Sequence, residues 1–253
     1  MGVKTTITLK QVQSYFPKLN VIALTPTLEG ITDTTYILHN NTKKYVLKKY
    51  ENKAQKSITT HLKLLQKLHS CSLDVPKLIT NVNGWYVFSY TQGSYFKTIN
   101  YYSLQRIALM IKKIHHCTQK YYCNRDISER INIEYALKRE KKHYYFYKKF
   151  LPLKSMSKSR DGLIHGDIFW DNILNKGTKV SIIDFSDAAD GRFSFDLGVT
   201  LSSLCSHPNR KHYIDFFLKV YNQNNRLKIT KHALLEDLEY AKLFYELLKR
   251  NIK

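Results

Sequence analysis

Two short apolar segments that carry polar residues at fixed spacing limit the possible folds more than any other feature. Residues 163–174 read LIHGDIFWDNIL, with Asp167 and Asn172 five positions apart, and SIIDF follows with Asp184 after two isoleucines. The chain has 20 acidic residues against 41 lysines and arginines, so carboxylates embedded in apolar sequence stand out. Short apolar runs of this kind predict buried strands, and a loop between them would bring Asp167, Asn172 and Asp184 to one edge.

These three side chains are suited to a particular chemistry. Oxygen ligands without His or Cys favour Mg²⁺, which binds through one or two carboxylates together with phosphates and water. An Asp, an Asn five residues on and an Asp at a strand end also match the order of groups in a kinase active site. Phosphoryl transfer needs little covalent help from the protein, so a small set of this kind can suffice. The open alternative is a buried loop in which these residues only cap turns.

The predicted elements change in character near residue 92. Before it, β-branched and aromatic runs predict strands, and one long helix follows from the spacing of leucines and isoleucines. After it, apolar residues recur mainly at helical spacing. The predicted strands include residues 34–38, 43–50 and 84–90, and the predicted helices include residues 58–68, 104–114, 133–150 and 234–248. The order is therefore a β-rich part followed by an α-rich part.

The spacing HGD, four residues and Asn, followed by IIDF, resembles the aminoglycoside phosphotransferase and choline kinase superfamily, which has a protein-kinase-like fold. The resemblance implies a bilobal α+β fold. A small β-rich N-terminal lobe, residues 1–92, would bind nucleotide, and a larger α-helical C-terminal lobe, residues 93–253, would carry the catalytic and substrate-binding residues. We expect ATP and Mg²⁺ as cofactors and a small-molecule hydroxyl as the acceptor.

The same resemblance assigns roles to five residues of the second part. Asp167 is expected to be the catalytic base, and Asn172 and Asp184 are expected to be magnesium ligands. His165 and Asp196 are expected to support the catalytic loop without taking part in the chemistry. These assignments predict a kinase that transfers phosphate to an alcohol group.

The N-terminal part agrees with this interpretation. Residues 45–48, YVLK, resemble the strand that ends in the phosphate-binding lysine. Alternation along a strand puts Val46 and Lys48 on one face, so Val46 would cover adenine while Lys48 reaches the phosphates. Residues 88–90 lie where the hinge between the lobes is expected, with backbone groups for adenine. The positions expected to bind the nucleotide are Gly30, Thr32, Val46, Lys48, Ser89 and Tyr90.

Two features depart from the family pattern. The phosphate loop has one glycine in residues 29–36, where a glycine-rich stretch is expected. The helix that usually supplies a glutamate partner for Lys48 has no Asp or Glu in residues 52–73, and His61 aligns best with that position. Glu51 is one alternative partner, and the other alternative is that phosphates alone hold Lys48. A degenerate kinase fold that binds without turnover therefore stays open.

Three stretches suggest the acceptor. GITDTTYIL, LIHGDIFWDNIL and FDLGVTLSSLC resemble stretches of type II homoserine kinases in the same order, which favours homoserine. An aminoglycoside needs an acidic pocket, whereas residues 193–253 carry six scattered carboxylates. Choline needs an aromatic cage for its quaternary amine, and the 19 tyrosines leave that acceptor open. A homoserine carboxylate needs a cation, for which Arg192 and Arg210 are the candidates.

The net charge of +21 raises the alternative of a nucleic-acid partner. Lysines outnumber arginines 32 to 9, a skew typical of AT-rich codons, whereas arginine is the usual reader of phosphates and bases. We therefore expect no nucleic-acid partner, although the basic residues 133–150 leave the alternative open. No segment is apolar enough to span a membrane, and the N-terminus lacks a signal-peptide core, so we expect a cytoplasmic protein without a membrane partner.

Overall fold

The computed structural model describes residues 3–27, 33–125, 159–204 and 206–251, with backbone alone from residue 243. The chain divides into two compact units, Met1–Gln92 and Gly93–Lys253. The predicted nucleotide-binding residues Gly30 and Thr32 and the basic segment 133–150 lie outside the described residues.

The first unit is built on a five-stranded antiparallel sheet in the order β1-β2-β3-β5-β4. Its strands are β1 (Ala23–Pro26), β2 (Thr34–His39), β3 (Lys44–Lys49), β4 (Leu78–Val82) and β5 (Trp85–Ser89), and its helices are α1 (Leu9–Tyr15) and α2 (Gln55–Ser70). Asn83 and Gly84 make the tight turn from β4 to β5 with positive φ angles of 51° and 76°, a conformation that Asn-Gly pairs favour in two-residue hairpin loops.

The two faces of this sheet carry different side chains. One face is apolar and packs against α1 in a core that includes Val12, Leu47 and Trp85. The ammonium group of Lys49 lies 5.3 Å from the centroid of the Trp85 ring, on the same side as that core. Since side chains alternate along β3, Lys48 lies on the opposite face. Alternation therefore separates the two neighbouring lysines, as the sequence predicts.

The second unit is mainly helical. Its helices are α3 (Tyr101–Thr118), α4 (Phe193–Ser202), α5 (Arg210–Asn222) and α6 (Lys231–Asn251), and its strands are β6 (Ser94–Tyr95), β7 (Gly162–Ile164), β8 (Ile173–Lys176), β9 (Lys179–Ile182) and β10 (Ala189–Gly191). The strands form two small antiparallel sheets, β7 with β10 and β6-β8-β9. Gly198 lets α4 approach α6 closely, because a Cβ there would lie 2.8 Å from backbone atoms of Asp237.

A β-rich first unit and a larger helical second unit confirm the predicted α+β class. The described helices include none with the length and apolar character needed to cross a lipid bilayer.

Candidate active site

The loop between β7 and β8 brings Asp167 and Asn172 into contact. The Nδ2 group of Asn172 donates to the backbone carbonyl of Asp167 at 2.9 Å and to its Oδ2 at 3.2 Å. With Nδ2 committed to Asp167, the amide presents Oδ1, the atom that a hard cation binds, on its other side. The predicted base and one predicted metal ligand are therefore neighbours, and both side chains are partly exposed.

Asp184 directly follows Ile183, which is hydrogen-bonded to Asn172. The backbone N–H of Ile183 donates to the carbonyl of Asn172 at 3.0 Å. Asp184 itself has φ 58° and ψ 63°, the left-handed conformation. This conformation is uncommon outside glycine, is tolerated better by Asp than by most residues, and often occurs at functional positions. The two strands that flank the loop, β7 and β8, pair with β10 and β9 rather than with each other.

His165 connects the loop to the segment that leads into Asp184. Its Nε2 donates to the backbone carbonyl of Ile183 at 3.0 Å, and its Nδ1 accepts from the backbone N–H of Asp167 at 3.1 Å. One donor and one acceptor nitrogen define a single tautomer of the ring. The ring is fully buried against Phe185, with centroids 4.5 Å apart. These contacts fit a bracing residue.

Asp196, on α4, holds the start of the same loop. Its carboxylate accepts from the backbone N–H of His165 at 2.9 Å, from the N–H of Gly166 at 2.8 Å and from Nε2 of His115 at 3.1 Å. Burial acts to raise the pKa of Asp196, but the hydrogen bond and charge of His115, together with His165, hold that pKa below its ordinary value. This buried carboxylate, with its three hydrogen-bond donors, fixes the start of the loop.

His115 and Tyr221 complete this network and are not among the residues predicted from the sequence. The hydroxyl of Tyr221 lies 2.8 Å from Nδ1 of His115, and the His115 ring stacks on Phe193 with centroids 4.1 Å apart. The available signal is a histidine on the apolar face of α3, next to Ile111 and Ile114. That pattern alone predicts that His115 is buried and makes a polar contact, but it does not identify the partner residue.

In the first unit, Lys48 is buried and pairs with Asp33. The ammonium nitrogen lies 3.5 Å from Oδ2 of Asp33. His61, the residue aligned with the missing glutamate, instead lies 2.6 Å from the Tyr50 hydroxyl through its Nδ1. Glu51, the alternative partner, accepts hydrogen bonds from other residues. Asp33 is not among the partners predicted for Lys48, because only the strand register brings the two residues together.

The residues predicted to bind adenine differ in their exposure and in the hydrogen bonds that they already make. Val46 is half-buried and lies opposite Phe88 in the β3-β5 pairing. Ser89 donates its N–H to the carbonyl of Lys77 at 2.8 Å and accepts the Lys77 N–H on its hydroxyl at 2.8 Å. Tyr90 is 37% exposed. Of the two predicted hinge residues, Tyr90 is therefore the better candidate for adenine.

The two arginines predicted to receive an acceptor carboxylate already face carboxylates of α6. The guanidinium of Arg192 pairs with Asp237 and lies 4.0 Å from Glu236. Arg210 lies 3.2 Å from Glu239. This pairing argues against either arginine as the recognition group for a homoserine carboxylate.

The oxygen donors of Asn172 and Asp184 are of the kind that Mg²⁺ binds together with a nucleotide. Within the part of the chain that the structure describes, no three His, Cys, Asp or Glu side chains form a group that could hold a metal ion. Asn172 and Asp184 offer two oxygen ligands, and Mg²⁺ commonly takes one or two carboxylates from a protein while phosphates and water supply the remainder.

Comparison with known protein families gives a match over most of the chain. The phosphotransferase enzyme family (APH) matches residues 23–229. The homoserine kinase of Bradyrhizobium diazoefficiens is 32% identical over 79 residues, which span 30% of this chain and only 24% of that protein. The homoserine kinase of Bartonella henselae is 20% identical over 245 residues, covering 81% of this chain and 73% of that protein.

Solved structures give the fold. Choline kinase LicA from Streptococcus pneumoniae superposes with a TM-score of 0.73 at 15% identity, covering 96% of this chain and 90% of that one. Amicoumacin kinase hAmiN, solved with AMP-PNP, Ca²⁺ and Ami, superposes with a TM-score of 0.71 at 16% identity, covering 97% and 87%. These likenesses confirm the predicted protein-kinase-like fold, and the match over residues 23–229 shows that the chain belongs to the phosphotransferase enzyme family.

Proposed function

We propose that this protein is an ATP- and Mg²⁺-dependent kinase that transfers the γ-phosphate to a hydroxyl of a small molecule, with homoserine as the preferred acceptor. The observation that carries the proposal is the contact of Asn172 with Asp167, 3.2 Å from Nδ2 to Oδ2, in a loop held by Asp196. Family membership supports the reaction class. A kinase that uses the ATP pool is expected in the cytoplasm.

The proposed reaction needs one base and little else from the protein. The acceptor oxygen forms a bond to the γ-phosphorus while the bond from that phosphorus to the β,γ-bridging oxygen breaks, and ADP leaves. Asp167 orients the hydroxyl and takes its proton. The partial exposure of the Asp167 side chain supports this role, because an acceptor must reach it.

The residues proposed to bind ATP and its metal are given for each unit separately. Lys48 places its ammonium group against the phosphates, with Val46 and Tyr90 against the adenine. Oδ1 of Asn172 and the carboxylate of Asp184 would hold Mg²⁺, which when bound neutralises charge on the β- and γ-phosphates. The nucleotide analogue and divalent cation in the amicoumacin kinase structure support this choice of cofactors.

The choice of homoserine rests on sequence. Four homoserine kinases are among the similar proteins, and three stretches of the chain resemble type II homoserine kinases in the same order. Choline or ethanolamine is the alternative suggested by the choline kinase fold, and an aminoglycoside is the other. The engagement of Arg192 and Arg210 by α6 means that the group recognising an acceptor carboxylate is still to be found.

The acceptor is tested by a panel assay. Release of ADP is followed by a coupled assay with Mg²⁺ and ATP against homoserine, choline, ethanolamine and an aminoglycoside. We expect turnover with homoserine well above the others, because the sequence likeness to homoserine kinases extends across three segments. Turnover with another acceptor alone would retain the kinase and replace its substrate. Binding of ATP without turnover on any acceptor would favour the degenerate kinase fold.

The metal ligand is tested by Asp184→Gly. Glycine adopts the left-handed conformation of this position without strain, so the variant removes the carboxylate and little else. We expect the Kd for ATP in the presence of Mg²⁺ to rise by about tenfold or more, the usual scale for a lost charged contact. Isothermal titration with Mg²⁺ and with EDTA makes the comparison. Equal affinity of the variant and the native protein with Mg²⁺ would exclude Asp184 as the ligand.

A further inference from the structure

The ammonium group of Lys48 has a counter-charge in the sheet itself. Lys48 and Asp33 are 7% and 5% exposed, so both charges are withdrawn from water, and each would be costly there without the other. The ammonium nitrogen lies 3.5 Å from Oδ2 of Asp33. The second oxygen, Oδ1, accepts the backbone N–H of Glu51 at 3.4 Å. One oxygen of the carboxylate therefore faces the ammonium group, and the other accepts a long hydrogen bond.

Strand register explains how Asp33 reaches this place. Asp33 directly precedes β2, and Thr34 pairs with Lys49 at the end of β3. Asp33 therefore lies beside the end of β3, close to Lys48 and Glu51. The position of Asp33 follows from the hairpin and does not depend on α2.

Helix α2 cannot supply a carboxylate. Residues 52–73 contain no Asp or Glu. His61 is 4% exposed, lies 2.6 Å from the Tyr50 hydroxyl and stacks on Phe88 with centroids 5.5 Å apart. The helix position that would face the lysine is thus filled by an aromatic contact.

Glu51 has a different role from Asp33. Its carboxylate accepts the Thr34 hydroxyl at 2.5 Å and the Thr5 hydroxyl at 2.9 Å. Burial acts to raise the pKa of Glu51, but these hydrogen bonds and the charges of nearby lysines hold it below its usual value. Glu51 ties the N-terminal segment to β2, which makes it a suitable control.

We propose that Asp33 is the positioning residue for Lys48, in place of the glutamate that α2 lacks. The inference rests on the proposed function, in which Lys48 binds the phosphates of ATP. In this proposal Asp33 acts on the nucleotide only through Lys48. It fixes where the ammonium group lies before ATP arrives, which reduces the ordering that binding requires.

The test measures the Kd for ATP with Mg²⁺ in two matched pairs. Asp33→Asn keeps the size of the native side chain without its charge, and we expect the Kd and the KM for ATP to rise by about tenfold. Asp33→Glu and Asp33→Gln form the second pair, in which only the Glu variant is expected to retain affinity near the native value. Glu51→Gln is expected to leave the Kd unchanged. Thermal unfolding of each variant establishes that it is folded at the assay temperature.

The outcomes separate this inference from the proposed function. A native protein that does not bind ATP overturns both. If the native protein binds ATP and Asp33→Asn binds it with the same Kd, the inference alone is overturned. The same holds if the Kd values of Asp33→Glu and Asp33→Gln are equal. Asp33 would then have a purely structural role. Tighter binding in Asp33→Asn also overturns it, because Asp33 would then compete with the phosphates for Lys48.

Discussion

In Asp167→Asn, kcat is expected to fall by about a hundredfold to ten-thousandfold, the range that a positioned general base contributes. The Kd for ATP with Mg²⁺ is expected to stay near the native value, because the proposed base would contact the acceptor hydroxyl and not the nucleotide. The variant is nearly isosteric. Its amide oxygen can still accept from Nδ2 of Asn172, the contact that now measures 3.2 Å, so the loop is expected to keep its shape.

The measurement combines coupled ADP release with isothermal titration of ATP and Mg²⁺. Asp171→Asn is the matched control, since Asp171 lies in the same loop with an exposed side chain, and it should retain native turnover. Native turnover in Asp167→Asn would refute the assignment of the base. A large loss of ATP affinity in that variant would instead indicate that Asp167 holds the nucleotide or its metal.

The second large effect is expected in Asp196→Ala. The substitution leaves three donors, the N–H groups of His165 and Gly166 and Nε2 of His115, without their acceptor in a fully buried site. Removing one partner of a buried charged network costs about 3–5 kcal/mol. Urea unfolding measures the loss. Asp215→Asn is the control, because Asp215 is exposed and its pairing with Lys231 should contribute little. A loss of unfolding free energy no larger than in that control would contradict the role of Asp196 in holding the loop.

The same carboxylate makes stability depend on pH in a definite direction. The folded pKa of Asp196 is lowered from the ordinary value of 3.8, so its contribution to the free energy of unfolding is present above that value. The contribution is lost as the pH falls below 3.8 and through the lower folded pKa. We therefore expect the stability difference between the native protein and Asp196→Asn to narrow under acid. A difference that is constant with pH would contradict this expectation.

The residues that sequence identifies and those it misses differ in how far apart their partners lie. Asp167 and Asn172 are five positions apart in one loop, so their spacing is visible in the sequence and their contact follows from it. Strand alternation likewise separates Lys48 from Lys49 by a local rule. The contact of His115 with Asp196 spans 81 positions. Such a contact depends on how α3 and α4 pack, which local periodicity does not specify.

The partner of Lys48 illustrates the same limit at shorter range. Asp33 and Lys48 meet because β2 and β3 pair in one register, and a slip of one residue would turn the side chains to opposite faces. The absence of a glutamate from residues 52–73 can be seen in the sequence, but the ion pair of Lys48 with Asp33 can be found only once that register is known.

The pair of Lys48 and Asp33 also bears on regulation. In protein kinases the corresponding lysine pairs with a glutamate of a helix, and the position of that helix switches activity on and off. Here Lys48 lies on β3, and Asp33 directly precedes the neighbouring strand β2, so displacement of α2 would leave the pair joined. If Lys48 binds the phosphates of ATP as proposed, a movement of α2 is not expected to switch activity in this protein as it does in protein kinases.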